Sequence, residues 1–350
     1  MLLATPFIFL SVADNRLLFS RLQEYNLDGT GSLRRAIQRM ALKMRKVTEI
    51  KYPNSAKLFS FCKSVLDVKF SNARVIDQDV GQILGFDPAD CSNWKKGRKN
   101  IRSIKSIDAL AKHLDVDPRF LIDIVNGSLS TPEALLEHQG LGHLSIDPAA
   151  TESSRKNWQR SRGFSWTPEL DVAHRAFFSI NDVALNAVIE NIFTKINFLE
   201  SPLFLPEISN AFPDVTMITR PTVVDRMLSV RDITPTGRWL DESHFEVESL
   251  EGSFSRPVVR FHMVRALAPY FIKDLIRPAH AAFKEHEAYV TSVYCNVFAA
   301  RLLVPAKLVR LEMSRIDLGR DIVTQLAEVF WVSRSLMNIR LRDILCGSEY

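Results

Sequence analysis

Residues 75–105, VIDQDVGQILGFDPADCSNWKKGRKNIRSIK, constrain the chain more than any other stretch, because they combine two short helix signals, a tight turn and a dense run of positive charge. Asp77 or Asp79 can cap a helix in which Val80, Ile83 and Leu84 recur at helical spacing, and Gly85 can take the left-handed conformation that stops it. Asp87 followed by Pro88 is an N-cap with proline at the first helical position, so a second helix starts after a short turn. Spacing turns Cys91 and Trp94 inward, and Gly97 ends the second helix. Ala89, Asp90, Asn93 and Lys96 lie outward, and Lys95, Lys96, Arg98, Lys99, Arg102 and Lys105 follow with no acid among them. Such a corner suits duplex DNA, met from Pro88 to Lys105. Ala89, Asp90 and Asn93 would face base edges, and Lys95, Lys96, Arg98, Lys99 and Arg102 would face phosphate. The alternative is a small helical bundle with a solvated basic rim.

These residues resemble the Cro/CI-like (XRE) helix-turn-helix. The family's order of small residue, glycine, apolar residue, cap and an inward apolar-x-x-Trp pair runs here from Gly81 through Gly85, Phe86 and Asp87 to Cys91 and Trp94. The segment Ser103–Val125 resembles the family's two closing helices, with Ile104, Ile107, Leu110, Ala111 and Leu114 as one apolar stripe and Asp117-Pro118 opening the last helix. The family's first helix falls at Ala56–Phe70. Gly81 stands where alanine is usual, and Asp90 puts an acid on the face that would meet DNA. An aspartate can accept from cytosine N4 but repels phosphate, which leaves the bases read open. The resemblance implies double-stranded DNA as partner. It also implies a homodimer, since one reading helix contacts too few bases for useful discrimination.

Around this core the 350 residues predict two or three domains, and an apolar share of 46% is ordinary for globular chains. The net charge of +5 is concentrated in the first half, which favours an anionic partner at one end. Cys62, Cys91, Cys295 and Cys346 are far apart with no C-x-x-C pair, so neither a disulfide scaffold nor a zinc knuckle is expected and a reducing cytoplasm is the simplest compartment. The opening MLLATPFIFLSVADN is apolar over fewer than the roughly 20 residues that a membrane span requires and lacks a basic leader, which predicts a packed terminal segment with no membrane role. Ser32–Lys46 sets Leu33, Ile37, Met40, Ala41 and Met44 on one face and basic residues on the other; it can pack on a neighbouring helix or touch DNA or anionic lipid. The expected division is an N-terminal helical extension at 1–54, the DNA-binding domain at 55–126, a linker at 127–166 rich in Gly, Ser, Thr, Pro and charge, with one short helix at Pro132–His138, and a second domain at 167–350. No internal repeat at a solenoid period is evident.

The second half has helical periodicity over Pro168–Leu199 and again over Leu203–Phe212. Strand signals fall at Val215–Arg220, Arg226–Arg231 and Phe245–Glu248, before helices at Val258–Ile276 and His280–Leu303 and a further helical pair. The fold class is mainly α with a small β-sheet, an α+β arrangement. These segments resemble the ImmA/IrrE-type metallopeptidase-like domain from about Ala187 onward. VVRFHMVRALAPYF (Val258–Phe271) is similar to its metal-binding helix, YCNVFAARLLVP (Tyr294–Pro305) to the helix that follows, and LAEVFWVSRSLMNIRLRDI (Leu326–Ile344) to its last helical pair. The resemblance implies a zinc site of two histidines one turn apart, a glutamate that activates water and a third ligand. Those positions carry Arg265, Ala266, Pro269 and Tyr294, and nearby Ser292 is no ligand; the eight histidines include no pair three or four residues apart. The expectation is a domain without catalysis, metal or cofactor, in which Arg265, Tyr294 and Asn296 form a polar cluster between the two helices, structural or able to hold a small anion. His262, His280 and His286 are expected as core or solvated residues and Cys295 as a packing residue.

No P-loop, dinucleotide fingerprint or nucleophile elbow occurs. Two function classes remain. One is a DNA-binding transcriptional regulator whose C-terminal half is an inactive peptidase-like module for sensing a small ligand or docking a protein. The other is an active metallopeptidase that cleaves a repressor through a non-standard metal site. A third reading has the helix-turn-helix contact protein.

Overall fold

Pro53, at the first turn where its missing N–H costs nothing, opens helix α1 (Pro53–Lys69), three residues ahead of the expected start at Ala56. Its inward face, Leu58, Phe59, Phe61, Cys62, Val65 and Leu66, is the spine of the first core. The computed structural model describes residues 50–70, 75–142, 144, 172, 175–177, 179–198, 200–221, 229–251, 256–317 and 319–345. The expected apolar terminal segment, the basic helix at Ser32–Lys46 and residues 145–166 of the expected linker lie outside them. Residues 51–350 form one unit.

Around α1 pack α2 (Asp77–Gln82), α3 (Pro88–Lys95), α4 (Ile104–Leu114) and α5 (Pro118–Asn126). Their caps are those the sequence signals. Asp79 accepts from the backbone N–H of Ile76 at 2.8 Å, Asp87 from that of Asp90 at 2.7 Å and Ser103 from that of Ser106 at 3.2 Å. One expected core residue is not in the core: Ile104, at the first position of α4, is 77% exposed, because the burying face of α4 is Ile107, Leu110, Ala111 and Leu114.

The expected short helix at 132–138 is longer, α6 (Thr131–Leu141), and it is not a spacer. Ser130 and Glu133 form a capping box, and Ala134, Leu136, Glu137, Gly140 and Leu141 are buried. The helix packs on α1 on one side and on a long C-terminal helix on the other. Polar composition suggests a linker, but alternation of those polar residues with small and apolar ones gives the helix two buried faces.

In the second half α7 (Asp182–Lys195) and α8 (Pro206–Ala211) lead into β1 (Val215–Arg220), whose bounds match the expected strand. The expected strand at 226–231 is corrected: Val230 and Arg231 belong to a short helix, α9 (Val230–Ile233), capped by Ser229 and Asp232, while 226–228 lie outside the described residues. The remaining strands are β2 (Thr236–Trp239), which the sequence pattern does not signal, and β3 (Phe245–Leu250). The three form one mixed sheet in the order β1-β3-β2, β1 parallel to β3 and β2 antiparallel to it, with Trp239 opposite Phe245. Phe245, Val247 and Ser249 of β3 are buried, and on the other face Glu246 and Glu248 pair with Arg238 and Arg220 of the flanking strands.

Against this sheet lies α10 (Pro257–Ala282), which continues through His280, so His280 does not start the next helix as expected. Pro269 and Pro278 lie inside α10, and Ile272 departs from helical geometry at φ −117° and ψ 17°. A proline forfeits a hydrogen bond to the preceding turn and crowds its carbonyl, and the kinked residue Ile272 lies between the two prolines. A single 3-10 turn at Lys284–His286 leads to α11 (Glu287–Leu303). Three helices then close the chain where a pair was expected: α12 (Ala306–Met313), α13 (Ile322–Phe330) and α14 (Arg334–Leu345). Helix and a small sheet make the molecule α+β. Among the described residues one helical run, Lys284–Met313, is apolar and long enough to cross a membrane, and most of it is buried in the second core.

A polar seam joins the halves. Arg334 of α14 pairs with Asp123 of α5, Asn338 donates to Asp117 at 2.7 Å and Arg119 meets Asp321 at 3.2 Å. Arg256, the residue before α10, pairs with Glu133, and from α10 His262 Nε2 donates to the Leu136 carbonyl at 2.9 Å. Gly140 is what admits that imidazole, since a Cβ there would stand 2.7 Å from the ring.

Candidate nucleic-acid interface

The corner of α2 and α3 is built by a C-terminal motif in which a left-handed residue folds the chain back on the helix it ends. Gly85 has φ +68°, and the next residue, Phe86, donates its N–H to the Gly81 carbonyl at 3.0 Å. Asp87 caps α3, and Cys91 and Trp94 are buried at its fourth and seventh positions past the cap. A small residue is required at position 81, because a Cβ would stand 2.9 Å from the Cβ of Cys91 where the helices cross.

This construction occurs three times among the described residues. Between α4 and α5, Asp115 has φ 60°, Val116 donates to the Ala111 carbonyl at 3.0 Å, Asp117 is the cap, and Leu121 and Ile124 are buried. Between α13 and α14, Trp331 has φ 53°, Val332 donates to the Ala327 carbonyl at 3.0 Å, Ser333 is the cap, and Met337 and Arg340 are buried. The spacing of small residue, left-handed residue, apolar residue, cap and two inward residues is the same in each. The three corners are unevenly spaced along the chain and so make no solenoid period; the shared offsets from the cap are the signal.

The second helices differ in what their outward faces do. Those of α5 and α14 are spent on each other through Asp117, Asp123, Arg334 and Asn338. That of α3 is open: Pro88, Ala89, Lys95 and Lys96 are exposed, and Asp90 and Asn93 are half-buried beside them. Trp94, fully buried, holds α3 from beneath, donating Nε1–H to the Ser55 carbonyl at 2.8 Å and meeting the Phe59 ring edge-on at 5.0 Å.

The basic run is not uniform. Asp90 is not an uncompensated acid, because Lys99 Nζ lies 2.8 Å from its carboxylate and 3.8 Å from the Phe86 ring centre. Lys95 pairs with Asp77. Lys96, Arg98 and Arg102 are exposed and make no ion pair among the described residues. Arg98 and Lys99 both donate backbone N–H groups to the Asn93 carbonyl, at 2.8 and 3.3 Å, so the run leaves α3 along a defined path. Beside it a groove of about 640 Å³ runs between α1, the start of α2 and α3, with Lys63, Lys95 and Lys96 on its walls.

The expected polar cluster between α10 and α11 does not form as one. Arg265 donates to Ser292 Oγ at 3.0 Å, whereas the Tyr294 hydroxyl is directed at Ser179, 3.3 Å from its carbonyl. Asn296 is fully buried, and its amide makes no hydrogen bond to the described residues. Residues 292, 294 and 296 diverge because successive helical positions are about 100° apart, so only Ser292 and its near neighbours face Arg265. The carbonyl of Ala266 is covered by β2, since a Cβ on Gly237 would come within 2.3 Å of it, and Pro269 is within the kinked part of α10. Burial lowers the Arg265 guanidinium from its usual range and pushes the nearby Cys295 thiol up to about 12, which makes Cys295 an inert packing residue. His262 is a core residue, pushed down to about 3 by burial and by the charge of Arg265. His280 and His286 are on separate elements, and His280 bonds Thr291 Oγ1 at 2.7 Å. No cluster of three metal-ligating side chains occurs among the described residues.

Comparison with protein-family models, with characterised proteins and with solved structures finds no match.

Proposed function

We propose that the chain is a DNA-binding transcriptional regulator of the Cro/CI-like (XRE) type, whose C-terminal half is a peptidase-like module without peptidase chemistry. One observation carries the reading: of three corners with the same construction, the one with an open second-helix face is the one followed by cations that make no ion pair among the described residues. Ala89 and Asn93 present small and amide groups to a major groove, with Asp90 held by Lys99, while Lys96, Arg98 and Arg102 take phosphates. The regulator acts as a homodimer on two half-sites.

For the C-terminal half, the reading rests on side chains that occupy the positions of a zinc site in the family it resembles. A guanidinium bonded to serine, an alanine under a strand and a proline in a kink supply neither imidazole nor carboxylate. The half then serves as a sensing or docking module in the cytoplasm, and no cofactor is assigned to it.

Selection of duplexes from a random pool by the full chain tests the function. A recurring half-site pattern is expected, and Asn93→Ala should relax preference at one or two base positions while leaving total binding within about tenfold. Enrichment of no sequence, together with no binding to bulk duplex, would contradict the proposal.

A further inference from the structure

Glu137 of α6 is 3% exposed, and both of its carboxyl oxygens are shut off from solvent in the seam between the halves. The hydroxyls of Ser333 and Ser335, at the start of α14, stand near enough to ease a negative charge, yet neither closes a well-formed hydrogen bond with it. Ser333 accepts from the N–H of Leu336 as the cap of α14, which fixes its oxygen and leaves a single O–H to offer Glu137. A buried carboxylate requires several hydrogen bonds or a cation to offset its desolvation, and here it has no cation and only two hydroxyls that fall short of closed geometry.

The surrounding charges worsen its position. Asp123 of α5 and Glu133 of its own helix both act on it as like charges. The cations of the seam are committed elsewhere, Arg334 to Asp123, Arg256 to Glu133 and Arg119 to Asp321. On α10, His262 is neutral and bonded to the carbonyl of Leu136, and Arg260 donates to the carbonyls of Trp331 and Leu203. On α1, Lys69 acts on His138 and is itself matched by Asp115, while Lys63 is held by Asp67 and the Val75 carbonyl. On α9, Asp232 is bound into its cap by Ser229 and Arg231 is exposed.

We propose that Glu137 is a proton-operated latch between the first helical bundle and the C-terminal half. Protonated, it lets α6 and the start of α14 close on each other; ionised, it drives them apart and frees α5 and α6 from the seam. Burial, ahead of the two neighbouring acids, raises its carboxyl from 4.5 to about 7, which puts the transition near neutral pH. The sign follows from linkage. A carboxyl with a raised value in the closed state favours closure below its open-state value, and closure weakens as pH rises from 4.5 through about 7. The proposal concerns the seam alone and is independent of whether α3 reads DNA.

Amide hydrogen exchange of the full chain at pH 6 and pH 8.5, corrected for intrinsic exchange, reads the opening of α6 and the first turn of α14. Between those pH values the opening ratio of the unaltered protein is expected to rise about tenfold relative to that of Glu137→Gln, which holds the same shape without the charge. Equal pH dependence in the two proteins, or opening confined to α10 and α11, would overturn the latch. If the glutamine variant does not fold, carbon-13 titration of the glutamate carboxyls in the unaltered protein decides: one carboxyl titrating near 7 is expected, and none above 6 would overturn the proposal.

Discussion

The corners α2–α3 and α13–α14 are built alike and used differently. Each has a small residue at the crossing, a left-handed residue at the turn and a side-chain cap, so the backbone geometry follows from local chemistry alone. What separates them is the pair of residues under the second helix and the set above it. In the first, Trp94 fills the core and the outward face is left to solvent; in the second, Arg340 is buried and the outward face is tied to α5 by Arg334 and Asn338. The same corner geometry therefore leaves one second helix open and packs the other into the seam. The disposition of the exposed face is the informative part.

The largest effect expected from this comparison is at the shared inward position. Trp94→Ala should destabilise the first bundle by about 3–5 kcal/mol, because it empties a fully buried aromatic site and leaves the Ser55 carbonyl without its donor. Arg340→Ala should cost roughly 2 kcal/mol, since it removes charged donors to the Val304 carbonyl at the end of α11 rather than a large apolar volume. Denaturant unfolding measures both, and equal losses would break the distinction between an aromatic and an ionic underside.

The seam also carries a buried histidine that the first corner lacks. His262 is held neutral and pushed down to about 3 in the folded protein, from an ordinary 6.5. A depressed histidine contributes stability that is present above the unfolded value and lost as pH falls from 6.5 toward about 3. At about 1.4 kcal/mol per pH unit, a loss on the order of 4 to 5 kcal/mol is expected across that window. His262→Gln should flatten this limb in a stability-against-pH series, and an unchanged slope would remove His262 from the account.

The smallest effect is at the turns. Gly85→Ala should cost about 1 kcal/mol, all of it backbone strain, because φ is +68° and no atom lies within 4 Å of the added Cβ. Trp331→Gly should gain a similar amount at the turn and lose the stacking of Arg260 on the indole, 5.3 Å from its centre, for a net change near zero by melting temperature. A loss above about 2 kcal/mol at Gly85 would mean that more than the backbone is involved.

Much of the first bundle is legible in the sequence because its signals are local. Asp87-Pro88, Asp117-Pro118 and Gly85 act within one turn of chain, and the structure places caps and left-handed residues where they predict them. β1 is legible for the same reason, as a short β-branched run. β2 is not: Thr-Gly-Arg-Trp is exposed at all four positions, and its place in the sheet comes from the antiparallel register with β3 and the fit of Gly237 over Ala266. Helix α6 reads as a linker by composition, because its two buried faces are defined only by α1 and α10, partners distant in sequence. The Arg265 neighbourhood is legible only as a face of α11; which side chains meet across it depends on the packing of α10, and that selects Ser292 over Tyr294 and Asn296. At the basic surface the residues are legible but their pairing is not. In the sequence Lys95 and Lys99 stand equal to Lys96, Arg98 and Arg102, and only the fold brings Asp77 and Asp90 beside them.

The central claim, that the open face of α3 and not the matching face of α14 reads DNA, is tested most directly by the salt dependence of duplex binding. Each phosphate deprived of its cation should reduce the slope of log affinity against log salt by about 0.9, so the full chain carrying Lys96→Ala, Arg98→Ala and Arg102→Ala should bind every duplex more weakly with a slope shallower by roughly 2.7. Arg334→Ala, on the face spent in the seam, should leave both affinity and slope unchanged. Fluorescence anisotropy at several salt concentrations gives both numbers, and a triple variant indistinguishable from the parent, or a slope that falls with Arg334→Ala instead, would contradict the account.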